Sequence, residues 1–311
     1  MNKLTKIGLT ALAGSLVAGT VNAAEMSVTG SAGITFTGLD SSEVSGNGFT
    51  MGDSLTFSAS GDVNDIGVTL SYELDGQGAA TDTFDDHSIT LDFGDAGTLV
   101  FAGHGGDSAM SARDDVMPTA KEEPWDVVTG ADAGIINGAS GENMFNYKFN
   151  HESGFLLNVA YLPSSGTMAE SYTDFAVEYT GVDGLRLGIA MGESEATAGT
   201  EIEEDTMFAT YAMGGITIGL QMSEFDTSAS TGDTESTGFG VSYQINDDLT
   251  VSYGSHEIEK DGSDDQESSA IGVSYTMGSM SLSATMNKVD NVAHTSTSDL
   301  QSYEAGVSFS F

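Results

Sequence analysis

The densest set of groups able to do chemistry lies between Gly105 and Glu142. Asp107, Asp114, Asp115, Glu122, Glu123, Asp126 and Asp132 stand there against only Arg113 and Lys121. Carboxylates in such numbers hold a hard cation through oxygen, move protons in catalysis, or set up a field that sorts ions. Catalysis finds little support. Gly103-His104-Gly105-Gly106 with Ser108 is similar to the oxyanion loop of some esterases, but no Gly-x-Ser-x-Gly elbow follows. His87, His104, His151, His256 and His294 show no spacing toward a nucleophile, and a triad needs a positioned base as well as a serine. The chain therefore reads as a non-enzyme. Further acids cluster at Asp82, Asp85 and Asp86, at Glu201, Glu203, Glu204 and Asp205, and at Asp261, Asp264, Asp265 and Glu267. None forms a Ca2+-binding loop with its terminal Glu, so no cofactor is required. Ca2+ or Mg2+ bridging of these acidic stretches is the metal chemistry they leave open.

The elements that position these groups follow from the rest of the chain. Its 8 Lys+Arg against 47 Asp+Glu give a formal charge of −39, which excludes nucleic acid as a partner. With no cysteine there is no disulfide framework or thiolate site. Lys3 and Lys6 precede an apolar, small-residue stretch from Ile7 to Val21, and Val21-Asn22-Ala23 ends it as a signal peptidase site does. Residues 1–23 are expected to be a cleaved signal peptide, leaving a mature domain of 24–311. Removing its two lysines leaves a charge of −41. No later stretch has the ~18–20 apolar residues of a membrane helix. An exported chain then either stays soluble or crosses a membrane as a closed β-barrel, since lipid satisfies no backbone polar group.

From Met26 onward the pattern has period two. Met26, Val28, Ala32, Ile34 and Phe36 alternate with Ser, Thr and Gly, and the same alternation runs through 54–63 and 66–74. It resumes near 88–94, 98–104, 143–151, 155–162, 172–181, 185–192, 206–213, 216–223, 237–245, 249–255, 269–277, 280–287 and 300–311. These are sixteen half-buried strands. Tight Gly/Asn/Asp turns, such as Asn64-Asp65 and Gly214-Gly215, alternate with long polar connections, such as Glu224–Ser236. Regular alternation of short and long loops marks an outer-membrane barrel, which predicts an all-β, sixteen-stranded antiparallel transmembrane barrel. Tyr179, Tyr211, Tyr243 and Tyr275 recur every 32 residues just before tight turns, with Phe93, Phe149 and Phe311 in equivalent places. They predict an aromatic girdle at the periplasmic interface. Sixteen strands leave a lumen too wide for side chains to fill, so the inward Ser/Thr/Gly faces would line water.

Connection 105–142 breaks the spacing of the tight turns. It holds the only tryptophan, Trp125, and two of the three prolines, Pro118 and Pro124. Trp125, Val127, Val128, Ile135 and Ile136 need a surface to pack on, which favours a loop folded into the lumen and narrowing it.

With these features the chain resembles the Gram-negative general diffusion porins, closest to the alphaproteobacterial type. The resemblance covers the whole mature chain and rests on the signal peptide, the strand count, the long loop after the fifth strand and the final Tyr303-Glu304-Ala305-Gly306-Val307-Ser308-Phe309-Ser310-Phe311. That ending resembles the family's signal to the barrel-assembly machinery, through Tyr303, Phe309 and Phe311. The resemblance implies a homotrimer in the outer membrane, among lipid and lipopolysaccharide, that passes small hydrophilic solutes and is constricted by its third outer loop. Such porins set loop acids against a cluster of wall bases. Here the inward wall bases are only Lys148 and Arg186, with Arg113 and Lys121 on the loop itself, which predicts a net negative, cation-selective pore. Competing readings are a soluble secreted acidic β-protein that binds calcium or adheres, and a substrate-specific channel. The first lacks a need for lipid-facing alternation, and the second an aromatic slide or basic lumen site.

Overall fold

A computed structural model describes residues 25–39, 48–76, 84–134, 138, 140–164, 171–194, 201–228 and 232–311. The expected signal peptide, Asp82, Ile135 and Ile136 lie outside the described residues. The strands are β1 (Glu25–Leu39), β2 (Phe49–Val63), β3 (Ile66–Asp75), β4 (Phe84–Asp92), β5 (Thr98–His104), the two-residue β6 (Gly106–Asp107) and β7 (Ser140–Gly141), β8 (Met144–Asn150) and β9 (Phe155–Leu162). There follow β10 (Tyr172–Val182), β11 (Leu185–Ser194), β12 (Ile202–Met213), β13 (Ile216–Thr227), β14 (Thr234–Gln244), β15 (Leu249–Lys260), β16 (Gln266–Met277), β17 (Met280–Asp290) and β18 (Leu300–Ser310). All but β6 and β7 form one closed antiparallel barrel of sixteen strands, each paired with its neighbours in the chain and β18 with β1. At that seam Gly30 N–H donates to Phe311 O at 2.8 Å, and Phe311 N–H to Gly30 O at 2.9 Å. Closure leaves no unpaired sheet edge, the condition for backbone to cross lipid.

Period two decides which side each residue faces. Exposed large apolar side chains fall on one parity along most long strands, as with Leu187, Ile189 and Met191 on β11 or Leu220 and Met222 on β13. On β10 a register shift after Tyr179 brings Val182 out on the other parity. The opposite parity carries buried polar groups, such as Gln221 and Ser223 on β13. In water such an apolar exterior would be prohibitive; against acyl chains it is the stable arrangement. Tight turns form where expected. Asn64 and Asp65 both adopt positive φ (53° and 64°), as a two-residue hairpin with the sheet's twist requires.

The strands run further at their long-loop ends than the alternation suggested. β12 begins at Ile202, β13 ends at Thr227 and β15 at Lys260. At these upper ends acids occupy the outward positions and single apolar residues, Ile202, Phe225 and Ile258, fall on the opposite parity, so the period-two signal is lost while the ladder continues. Glu203, Glu204 and Asp205, expected in a loop, therefore sit on β12. The outward positions there set acid opposite acid: Glu193 faces Glu203, Asp205 faces Glu224, Glu224 faces Glu235, Glu257 faces Glu267, and Glu267 faces Asp290.

The recurring tyrosines share one phase. Tyr211 pairs with Leu185 and Ile218, Tyr243 with Ile216 and Val251, and Tyr275 with Leu249 and Leu282. Tyr179 pairs with Leu187 and Phe155, and its ring lies 4.8 Å from that of Phe155. Phe149 is on β8, whereas Phe93 lies just beyond β4, before a single 3-10 turn.

Candidate functional site

The segment after β5 is bonded along its length by side chains of the inward parity on several strands. At its start, Asn146 on β8 donates from Nδ2 to Asp107 O at 2.8 Å. Buried Asp174 on β10 then accepts from the backbone N–H groups of Ala109 (3.1 Å) and Met110 (2.6 Å). Gln221 on β13 works as a double clamp, accepting from Val116 N–H at 3.2 Å and donating to Arg113 O at 2.8 Å. Ser252 Oγ on β15 accepts from Ala120 N–H at 2.8 Å. Asn287 on β17 donates to Glu123 O at 2.6 Å. Gln266 on β16 exchanges two bonds with the Asp132 backbone, at 2.9 and 2.7 Å. Trp125 is buried against His256 of β15, with ring centroids 4.3 Å apart. A connection normally keeps its backbone in water; here side chains from six strands replace that water, bond for bond.

The bases of the segment are consumed in ion pairs. Arg113 is 5% exposed and its Nη2 lies 2.6 Å from Glu178 Oε1 of β10. The second Glu178 oxygen accepts from Arg186 Nε of β11, also at 2.6 Å, and the Arg186 guanidinium rests 4.8 Å from the Phe208 ring centroid. One buried carboxylate between two guanidiniums is a satisfied arrangement, since each charge taken from water finds a partner. Lys121 bridges its neighbour Glu122 and Glu304 of β18, the latter at 3.2 Å. Lys148 is the exposed wall base, and among the described residues it makes no ion pair.

The acids are left in surplus. Asp114, Asp115, Glu123 and Asp126 make no ion pair with a base among the described residues. Loss of water around Asp114 pushes its carboxyl up to about 6. Desolvation, then proton sharing with Asp115, raises Glu123 to about 7, and desolvation with the Glu123 contact raises Asp126 to about 7 although its side chain keeps solvent contact. Glu122, Glu123 and Asp126 bring carboxylate oxygens within 4.8 Å of one another, the spacing at which a hard cation is shared. Asp107 and Asp132 stand apart from this group, Asp107 on β6 at the segment's start and Asp132 beside His294 Nε2 at 3.2 Å.

The molecule is thus a closed sixteen-stranded barrel, lipid-compatible outside, with one long acidic connection bonded to side chains of the inward parity. Comparison by sequence family matches the Gram-negative porins over residues 8–267 and again over 228–311. The chain belongs to the Gram-negative porin family. It is an outer-membrane porin, a diffusion channel, and both family and fold point to a channel rather than an enzyme. No curated protein matches it by sequence. Among solved structures it is similar to the anion-selective porin from Comamonas acidovorans (15% identity, TM-score 0.70, covering 93% of this chain and 100% of that one). It also resembles the trimer form of in-vitro folded OmpT of Vibrio cholerae (12%, 0.70, 93% and 99%). A substituted variant of the Rh. blastica porin is a third likeness (15%, 0.63, 92% and 100%). At such identities the likeness is one of fold.

Sequence reasoning named the acids and bases of the porin's long connection but missed the wall groups that hold it: Asp174, Gln221, Ser252, His256, Gln266, Asn287 and Glu304. For all but Ser252, the available signal was size and polarity at inward positions otherwise filled mainly by Ser, Thr, Gly and Ala.

Proposed function

We propose that residues 105–142 fold into the lumen against β8 and β10–β18 as the constriction of a cation-selective pore. The observation that carries this reading is the pairing of charges. Both bases of the segment are tied to carboxylates, Arg113 to Glu178 and Lys121 to Glu304, whereas Asp114, Asp115, Glu123 and Asp126 have no basic partner among the described residues. Unpaired carboxylates at a narrow passage raise local cation concentration and repel anions, less so as salt screens them. The Comamonas porin is anion-selective on a similar fold, so the fold alone does not set the sign, and this reading rests on the charges of this chain. Lys148 and the exposed part of Arg186 temper the preference from the wall.

The remaining roles follow the same reading. Residues 1–23 serve as the export signal, Tyr303, Phe309 and Phe311 as the assembly signal, and the 32-residue tyrosine series with Phe93, Phe149 as the periplasmic girdle. The protein works as a homotrimer, as the Vibrio OmpT trimer form suggests, among lipopolysaccharide whose phosphates divalent cations would bridge to the acidic rim. Reversal potentials across a planar bilayer under a KCl gradient test the central claim. The expected sign is that of K+ permeation, and an anion-selective pore overturns the proposal.

A further inference from the structure

Three glycines on the inward parity stand directly opposite one another across adjacent strands: Gly219 on β13 pairs with Gly240 on β14, which pairs with Gly254 on β15; Ala270 on β16 continues the row. Nothing in the backbone asks for glycine here, since none of the three has a positive φ. Glycine in a strand interior weakens it and marks a place where something approaches closely. What approaches is the long connection. A Cβ at Gly219 would lie 2.7 Å from Pro118 Cδ, and one at Gly240 2.9 Å from the same atom and 3.1 Å from Pro118 N and O. A Cβ at Gly254 would lie 3.0 Å from Pro124 Cγ. Flanking the row, Gln221 and Ser252 clamp the backbone on either side of Pro118.

We propose that this glycine row is the seat that positions the acidic segment, and that Gly219, Gly240 and Gly254 thereby set the open width of the pore. The proposal rests on the reading that the segment lies in the lumen. Two prolines make the seated stretch stiff, because each locks its own φ and restricts the residue before it. A shelf without side chains lets that stiff stretch lie flat on the wall. A methyl group in the row would lift it away from the wall, toward the open side of the channel, by on the order of 1 Å to restore ordinary carbon contacts of ~3.5–4.0 Å.

The test is single-channel conductance of Gly240→Ala and Gly219→Ala beside Gly52→Ala, whose added Cβ meets nothing within 4 Å. Correct folding is checked first by heat-modifiable gel mobility. Both row variants are expected to lower conductance roughly 1.5-fold, as narrowing a filter does, with Gly52→Ala unchanged. Adding Pro118→Ala to Gly219→Ala removes the Cδ it meets and restores conductance. If either variant fails to assemble, Gly254→Ala, at its looser 3.0 Å contact, carries the same test. A disulfide separates this proposal from the reading beneath it. A Cβ at Gly272 would stand 3.6 Å from Ala120 Cβ, inside the usual disulfide range of ~3.5–4.5 Å, and the chain has no competing cysteine. The 2.8 Å approach of that Cβ to Ser252 Oγ is relieved by making the pair in a Ser252→Ala background. If Ala120→Cys with Gly272→Cys cross-links while folded row variants conduct as before or better, the seat is overturned alone. If the pair does not cross-link, the lumen reading falls and takes the seat with it.

Discussion

One closed sheet is built from two different walls. Inward positions on β10–β18 mix glycines, alanines and buried hydroxyls with larger polar groups, such as Asp174, Gln221, Gln266 and Asn287, that bond to the acidic segment. Inward positions on β1–β4 are mostly short hydroxyls, such as Thr29, Thr56, Ser58, Thr69 and Ser88, and contribute none of the segment's anchoring bonds described above. The outer surface divides too, with β18 on the other side. Strands β11–β17 carry acids at their upper ends, while β18, β1 and β2 keep aromatics there, with Phe36 4.8 Å from Phe49 and 6.2 Å from Tyr303. Asp53 on β2 is the exception. The lesson is that a barrel's strands are interchangeable in geometry but not in load: one half anchors and the other leaves space.

The largest break in that comparison is expected from Glu178→Ala. It strands Arg113, buried and left with the Ala109 carbonyl, and frees Arg186 as well. Removing one partner of a buried pair typically costs about 3–5 kcal/mol. Thermal unfolding followed by gel mobility should show a clear fall, and conductance should become noisier as the segment loosens. Ser71→Ala on the other wall should change neither.

A smaller effect sharpens the contrast through pH. Glu123 and Asp126, held near 7, and Asp114, near 6, lose charge as pH falls from 8 to 5. Cation preference, read from reversal potentials, should decline over that window. The sign for stability is the reverse of the usual carboxylate case. These groups bind protons more tightly in the folded barrel than in the unfolded chain, so their contribution favours folding at low pH and is lost as pH rises from about 4 through about 7. Glu123→Gln should flatten both dependences.

What the sequence shows and what it hides divides between local and long-range features. Strand number, tight turns and the odd connection were legible because apolar alternation and Gly/Asn/Asp turns are local signals. The upper strand ends were not, because Glu203 and Glu204 are polar on both faces and period two has nothing to alternate. That 105–142 needed a surface was legible from Trp125, Val127 and Val128. Where Arg113 and Lys121 pointed was not, since their partners Glu178 and Glu304 lie far along the chain and only the closed barrel brings them near.

The smallest expected difference concerns the acid pairs at the top of β11–β17. Like charges directly opposite in a ladder are unfavourable, and salt screens them. Amide exchange at Asp205, Glu224 and Glu235 should quicken in dilute buffer, whereas at Phe36 and Met51 it should stay constant.

Those pairs give the barrel a mouth whose order belongs partly to its surroundings. Below them, strand pairing is held by the bilayer and is indifferent to the medium. Above, each added rung brings carboxylates together, so the point at which sheet gives way to coil behaves like a waterline, rising in brine and falling in fresh water.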